Sequence, residues 1–218
     1  MLRYGRNLRI LAMGYAMLAG AVDAIGFLRS GGLFVSFMSG NSTRLSIGVT
    51  QSLTIAVAAA TLVALFVAGV IFNVLIGESA PAHHRKFAAT LTVTLLLVVA
   101  AAIDSAGRHR VAVGFLCVAM GSANAIFRRD GEVGIGVTYM TGTLVKLGHR
   151  LADLLRGTCD REWLSYFLLW LSLVLGGIAG ASAFIWSPNA ALWCAAATAA
   201  ILSALTFWLM GDETRAAR

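Results

Sequence analysis

The sequence predicts an all-α polytopic membrane protein with about six transmembrane helices, arranged as two inverted three-helix repeats that each contain a glycine-rich interrupted or re-entrant segment. Hydrophobic residues make up 59% of the 218 positions and charged residues only 12%, and the mean hydropathy is +0.82. These values exclude an ordinary soluble domain. The apolar residues form long runs without alternation, which favours helices over a β-barrel.

The first apolar run covers residues 10–28 and follows three arginines. A short apolar run behind basic residues is also typical of a signal peptide. However, residues 20–25 have a close counterpart in residues 121–126. We therefore expect this run to belong to an internal repeat and to span the membrane.

Five further runs are long enough to approach or cross a hydrocarbon core of ~30 Å at ~1.5 Å rise per residue. Charged or turn-forming connections separate them, and their ends are enriched in tryptophan, as expected at membrane interfaces. Within residues 146–156, Lys146, Arg150 and Asp153 share one helical face and leucines share another, which predicts an interfacial amphipathic helix. The five runs are residues 53–76, 87–103, 111–127, 163–186 and 190–210.

Lysine and arginine fall unevenly on the two sides of this six-span arrangement. With the N-terminus inside, 13 of the 17 basic residues lie in inner segments and four lie in outer connections. The positive-inside rule then places both termini in the cytoplasm. The sequence thus predicts a multi-pass protein whose main partner is the lipid bilayer.

The two halves of the chain resemble each other. Asp23 aligns with Asn124 at an offset of 101 residues, and Met38 aligns with Met140 at an offset of 102. Three spans per repeat would orient the halves oppositely, as in inverted-repeat secondary transporters. A full crossing by each glycine-rich segment would instead give four spans per repeat and parallel halves. The predicted division is a single membrane domain, residues 1–218, with internal repeats at residues 1–107 and 108–218.

The duplicated glycine-rich segments carry most of the candidate solute-binding residues. Their glycines permit turns, and their hydroxyl and amide groups suit backbone released by an interrupted helix. A helix beginning after Gly40 would direct free N–H groups and a positive dipole end at an anion or carboxylate. Tight helix packing is the alternative use of such small residues. The candidate substrate-binding residues are Asp23, Ser36, Met38, Ser39, Gly40, Asn41, Asn124, Thr138, Met140, Thr141 and Gly142.

Asp23 lies inside the first predicted span, where a carboxylate costs about 2.5–3.5 kcal/mol on insertion scales unless it is paired, protonated or hydrated. The functional interpretation is proton coupling or contact with a cation. The structural alternative for Asp23 is an ion pair with Arg29 or Arg44, or a hydrogen bond to Asn124. For Asn124 itself, a structural interhelical hydrogen bond and a role in the site are equally consistent with the sequence. Arg44 and Lys146 each follow a motif glycine and could attract an anion, although such cations more often reach lipid head groups.

Several classes of function lack support in the sequence. The net charge is +7, but the basic residues lie between apolar runs rather than among exposed aromatics, so we expect no nucleic-acid partner. Cys117, Cys159 and Cys194 show neither pairing nor ligand spacing, so we expect no disulfide framework, metal or cofactor. No catalytic triad order, nucleotide-binding loop or zinc-protease motif is present. We therefore expect no enzyme activity and no catalytic residues.

Residues 20–28 and the segment from Gly31 to Thr43 resemble the YoaK family of small bacterial integral membrane proteins, which is grouped as a domain of unknown function. The resemblance covers almost the whole chain, and residues 139–143 in the second half also fit it. Ser39 departs from the threonine of the family pattern. The resemblance implies a bacterial inner-membrane protein and supplies neither a substrate nor catalytic residues.

These observations predict a secondary transporter or permease for a small solute, with the two glycine-rich segments forming its site. An anionic solute and proton coupling through Asp23 are the specific forms of this prediction, and a homodimer is one way to complete so small a scaffold. The alternative is a non-transporting membrane protein, either an assembly or regulatory partner or a lipid-modifying enzyme. Convergence of the polar motif residues on one pocket would favour transport.

Overall fold

The computed structural model describes residues 5–81, 84–129, 132–157 and 162–216, and these residues form eight α-helices and one short antiparallel strand pair. Within them, α1, α3, α4, α7 and most of α8 are long and apolar enough to cross a membrane. The elements are α1 (Arg6–Ser30), α2 (Met38–Gln51), α3 (Leu53–Ser79), α4 (Arg85–Ser105), α5 (His109–Ala123), β1 (Arg128–Arg129), β2 (Glu132–Val133), α6 (Met140–Leu155), α7 (Glu162–Trp186) and α8 (Pro188–Ala216).

The sequence-predicted fourth span, residues 111–127, corresponds to the shorter helix α5, which ends at Ala123. Beyond that residue the backbone tightens into i to i−3 bonds, with Asn124 N donating to Gly121 O at 3.2 Å. The Asn124 side chain also donates to the Met120 carbonyl oxygen at 2.9 Å. At ~1.5 Å per residue, the 15 residues of α5 extend only about 22 Å, so five helices rather than six reach the length of a span.

Helices α2 and α6 hold 14 and 16 residues, fewer than the ~20 that a full crossing requires. The amphipathic helix predicted over residues 146–156 forms the larger part of α6. In the first half, α2 and α3 are separated only by Ser52, whose extended backbone (φ −160°) breaks the helix. The two helices therefore form a tight hairpin.

Glycines allow two pairs of helices to cross in backbone contact. Where α1 crosses α7, a Cβ added to Gly20 or Gly176 would lie about 2 Å from a carbonyl oxygen of the facing helix, at 2.0 and 1.9 Å respectively. Where α3 crosses α5, the corresponding distances at Gly69 and Gly121 are 2.2 and 2.1 Å. Each crossing joins one helix of the first half to one helix of the second half.

Polar contacts gather the ends of four helices at one face of the bundle. Arg29 Nε donates to Asp104 Oδ1 at 2.8 Å, and His109 Nδ1 lies 2.7 Å from the same oxygen. Arg29 also forms an ion pair with Asp104 Oδ2 and donates to Asn189 Oδ1 at 3.3 Å. This Arg29 cluster (Arg29, Asp104, His109 and Asn189) joins the C-terminal ends of α1 and α4 to the N-terminal ends of α5 and α8.

Helices α4 and α8 pack side by side in opposite directions. Ser105, at the C-terminal end of α4, accepts a hydrogen bond from Trp193 Nε1 near the start of α8 at 3.2 Å. Thr90, near the start of α4, lies 3.1 Å from the Ser203 hydroxyl, which is farther along α8. The large core side chains around these helices, including Leu97, are almost fully buried.

The cysteines occupy different environments. The Cys117 side chain is buried in α5, and its Sγ donates to the Leu62 carbonyl oxygen at 3.0 Å. Cys194 is exposed on α8, whereas Cys159 lies outside the described residues. Cys117 thus behaves as a small core residue with a weak interhelical bond.

The glycine crossings predict a position-specific loss of stability. We expect Gly20→Ala to lower the thermal unfolding temperature of the purified protein in detergent, because the added methyl group would press on the α7 backbone and overpacking costs about 1–3 kcal/mol. Gly77→Ala is the control, since nothing lies within 4 Å of its Cβ position in α3. It should leave the unfolding temperature unchanged or raise it slightly. Equal effects of the two substitutions would contradict the packing argument.

Candidate functional site

The first glycine-rich segment turns back along α1 directly after that helix ends. Gly31 and Gly32 have φ values of +75° and +112°, which favour glycine and reverse the direction of the chain. The returning chain places Val35 against Gly26, where an added Cβ would lie 2.6 Å from Val35 Cγ1. The segment is therefore seated in a groove that Gly26 leaves on α1.

The Asp23 carboxylate holds the backbone of this segment. Its Oδ1 accepts hydrogen bonds from Val35 N at 2.8 Å and from Ser36 N at 2.7 Å. Arg29 pairs with Asp104 instead of Asp23, so the ion pair considered from the sequence does not form with Arg29. Non-helical backbone in an apolar surrounding needs such partners, and bonds to an ionised carboxylate are stronger than bonds to a neutral acceptor.

Asn41 completes the support of the same segment. Its side chain is fully buried, with Oδ1 accepting from Phe34 N at 2.9 Å and Nδ2 donating to Phe34 O at 2.6 Å. One amide thus satisfies both backbone polar groups of Phe34, as a neighbouring β-strand would. Asn41 consequently stabilises the segment from its buried side, outside the cavity lining.

Gly40 and Gly142 each leave space for the aromatic ring three residues earlier in the chain. A Cβ on Gly40 would lie 2.4 Å from Phe37 Cδ1, and a Cβ on Gly142 would lie 2.1 Å from Tyr139 Cε1. The two rings stand at the N-caps of helices that begin at Met38 and Met140. The prediction of a helix beginning after Gly40 is therefore corrected by three residues, from residue 41 to Met38, because the glycine belongs to the first turn.

In the described part of the second segment, the corresponding side chains make different contacts. Asn124, the counterpart of Asp23, accepts a hydrogen bond from the Thr138 hydroxyl at 3.0 Å. Thr138 itself is the counterpart of Ser36. Thr143 stands at the position of Asn41 and donates only to Tyr139 O, at 3.2 Å.

The two glycine-rich segments line one cavity of about 1070 Å³, at the upper end of the sizes found for sites of small organic ligands. Seven of the predicted binding residues line it: Ser36, Met38, Ser39, Asn124, Thr138, Met140 and Thr141. Asp23, Gly40, Asn41 and Gly142 are not part of the lining, because they support the segments instead. The other lining residues are Phe37, Phe66, Val70, Val74, Ala125, Gly134, Ile135, Gly136, Tyr139, Thr143, Lys146, Tyr166 and Leu169.

The apolar wall of the cavity was not foreseen from the sequence. Phe66, Val70 and Val74 form one stripe of α3, and Tyr166 and Leu169 extend the lining from α7. Helix α3 is apolar on all sides, so composition does not distinguish the stripe that faces the cavity. The glycines of the helix crossings are the signal that would have pointed to these faces.

Comparisons with known proteins agree with a membrane fold and give no activity. Residues 11–205 match the family described as "Protein of unknown function (DUF1275)". The chain is 34% identical over 202 residues to the UPF0700 transmembrane protein RA0705 of Rhizobium meliloti (strain 1021). The aligned residues make up 90% of this chain and 85% of that relative. No solved structure matches the chain.

The bidentate role of Asn41 predicts a strong effect of its replacement. We expect Asn41→Leu to lower the thermal unfolding temperature in detergent, because Phe34 N–H and C=O would both lose their partner at about 1–3 kcal/mol each. Ser42→Ala is the matched control, since the exposed Ser42 hydroxyl only donates to Met38 O within the same helix. That variant should stay within about 0.5 kcal/mol of the parent. If Asn41→Leu left the unfolding temperature unchanged, the segment would not depend on this amide.

Proposed function

The chain belongs to the DUF1275 family of proteins of unknown function, and we propose that it is a secondary transporter for a small solute, bound in the cavity between its glycine-rich segments. The observation that carries the proposal is that two motifs a hundred residues apart line a single cavity. An interrupted helix from each half around one central site is the plan of many secondary transporters. We place the protein in a bacterial inner membrane with both termini in the cytoplasm.

The directions of the helices support an inverted repeat over residues 1–107 and 108–218. Helices α4 and α8 are repeat counterparts and run antiparallel. Helix α1 ends at the face where its counterpart α5 begins, as the Arg29 cluster requires. Helices α2 and α6 are short helices that start at the cavity, and we count α5, with its 15 residues, as a short crossing. Each half then contributes three crossings and one re-entrant segment, which is the parity that inverts the halves.

The two glycine crossings suggest which bodies move. The α1–α7 pair and the α3–α5 pair are each fixed by backbone contact, and the cavity takes Phe66 from one pair and Leu169 from the other. Rocking one pair against the other would open the cavity to alternate sides of the membrane. The Arg29 cluster bridges the halves at one face and would hold the cavity closed there.

Asp23 connects this motion to protons in the proposed mechanism. Its Oδ1 accepts hydrogen bonds from the Val35 and Ser36 N–H groups, and in the ionised form of Asp23 these bonds are charge-assisted and roughly twice as strong as neutral ones. Protonation of Asp23 would weaken both bonds and loosen the segment that carries Ser36, Met38 and Ser39 into the cavity. Proton binding and segment movement would then be coupled without direct contact between Asp23 and the solute.

Alternating access predicts that cavity residues react from both sides of the membrane. We expect single-cysteine variants Ser39→Cys and Thr141→Cys, built without the native cysteines, to be labelled by a membrane-impermeant maleimide added to either side of oriented vesicles. Both residues line the cavity and are exposed to it. Mass spectrometry of the labelled protein gives the labelled fraction for each side.

Two connections provide the controls for sidedness. Ser79→Cys lies at the end of α3 and Ala106→Cys follows α4, and both positions are exposed. Each should react from one side only, and the two sides should differ. If Ser39→Cys and Thr141→Cys were also one-sided, the transport proposal would fail and an assembly partner or interfacial enzyme would be favoured.

Coupling through Asp23 makes the sidedness depend on pH. We expect the ratio of labelling of Thr141→Cys from the two sides to change at least threefold between pH 5.5 and 7.5, and Asp23→Asn to abolish that change. The ratio is the readout because the rate of thiol chemistry itself varies with pH. Asp153→Asn, on the exposed part of α6, is the control and should retain the change. A ratio that responds equally to pH in Asp23→Asn would rule out Asp23 as the coupling group.

A further inference from the structure

The cavity divides chemically into an apolar part and a polar part. Phe66, Val70 and Val74 of α3 and Leu169 of α7 present only hydrocarbon. The first turns of α2 and α6 add the hydroxyl groups of Ser39 and Thr141 to the lining, together with Met38 and Met140. A ligand that fits both parts is amphipathic and has one polar end.

Lys146 is the one charged side chain among the described residues that line the cavity. It stands one turn after Thr143 on the same face of α6, and Thr143 also lines the cavity. Two acidic residues in the described part of the chain bind other groups. Glu162 pairs with Arg150 at 2.7 Å, and Asp23 binds the far side of the first segment.

A single ammonium group selects among anions. Phosphate dianions are matched by several cations or by the planar fork of arginine, whereas one lysine supplies one point charge with three donors. The hydroxyl groups of Thr141 and Ser39 line the same cavity and are neutral. The described lining therefore carries a single positive charge, which balances one negative charge on a ligand.

We propose that the solute is a monocarboxylate with an apolar body, whose carboxylate binds at Lys146 and whose body contacts Phe66 and Leu169. This assignment rests on the transport function proposed above and names the substrate class of its site. Lys146 becomes a specificity-determining residue. Arg44, its counterpart in the first half, is not among the lining residues and lies beside Gly32 instead.

Calorimetric binding of four probes to the purified full-length protein tests the assignment. Benzoate should bind at least tenfold more tightly than benzamide and benzylammonium, which keep the ring and change the charge. Benzoate should also bind at least tenfold more tightly than acetate, because acetate keeps the carboxylate and lacks the apolar body. Equal or tighter binding of benzamide or benzylammonium, or no binding of benzoate at 10 mM, would overturn the assignment.

Variants at the two matched basic positions locate the charge. Lys146→Gln should lower the affinity for benzoate at least tenfold and leave the affinity for benzamide unchanged. Lys146→Arg should keep the affinity for benzoate within about threefold of the parent. Arg44→Gln removes the same charge outside the cavity and should leave benzoate binding unchanged. A similar loss in Arg44→Gln and Lys146→Gln would assign the effect to surface charge and refute the proposal. Thermal unfolding without probe confirms that each variant is folded.

The outcome for substrate class is separable from the outcome for transport. Selective benzoate binding together with one-sided cysteine labelling would uphold the carboxylate site and reject transport. Two-sided labelling together with tighter binding of benzylammonium would uphold transport and reject the carboxylate site. Each result therefore bears on one proposal without depending on the other.

Discussion

Non-helical backbone within an apolar helix bundle needs a hydrogen-bond partner for its N–H and C=O groups, because neither lipid nor hydrocarbon side chains supply one. Asp23 and Asn41 meet that need for the first glycine-rich segment. Once the segment is fixed, the start of α2 and the position of Phe37 follow from it. The cavity depends on this support, since its first polar wall is the segment itself.

Several glycines of this chain serve three different geometries. Gly31 and Gly32 turn the backbone at positive φ, whereas Gly20 and Gly121 allow helices of opposite halves to touch. Gly40 leaves room for an aromatic ring over the first turn of a helix. The helix crossings and the aromatic contact bring backbone or ring atoms closer than a Cβ would permit, and the turn at Gly31 and Gly32 returns the chain along α1. Together they place irregular chain and crossing helices around one central space.

Much of the framework could be predicted from the sequence because length and hydropathy determine which segments cross a bilayer. The predicted runs at residues 10–28 and 53–76 lie within α1 and α3, which extend a few residues farther at each end or at one end. The early end of α5 could not be predicted, because Asn124 competes locally for a backbone carbonyl. The partners of Asp23 were equally hidden, since backbone N–H groups leave no mark in the sequence.

The two halves share a plan but support their segments unequally, and the difference has a consequence for motion. The first segment is bound by a carboxylate through two N–H groups and by the bidentate amide of Asn41. Among the described side chains, the second is bound by a neutral contact between Asn124 and the Thr138 hydroxyl, and its backbone is held by a bond from Gly134 N to Phe127 O. The side-chain contact at the position of Asp23 is therefore neutral in the second half, and a proton has no carboxylate to bind there. Lys146 lies on the helix that continues from this second segment, where a change in segment position would carry the ammonium group with it.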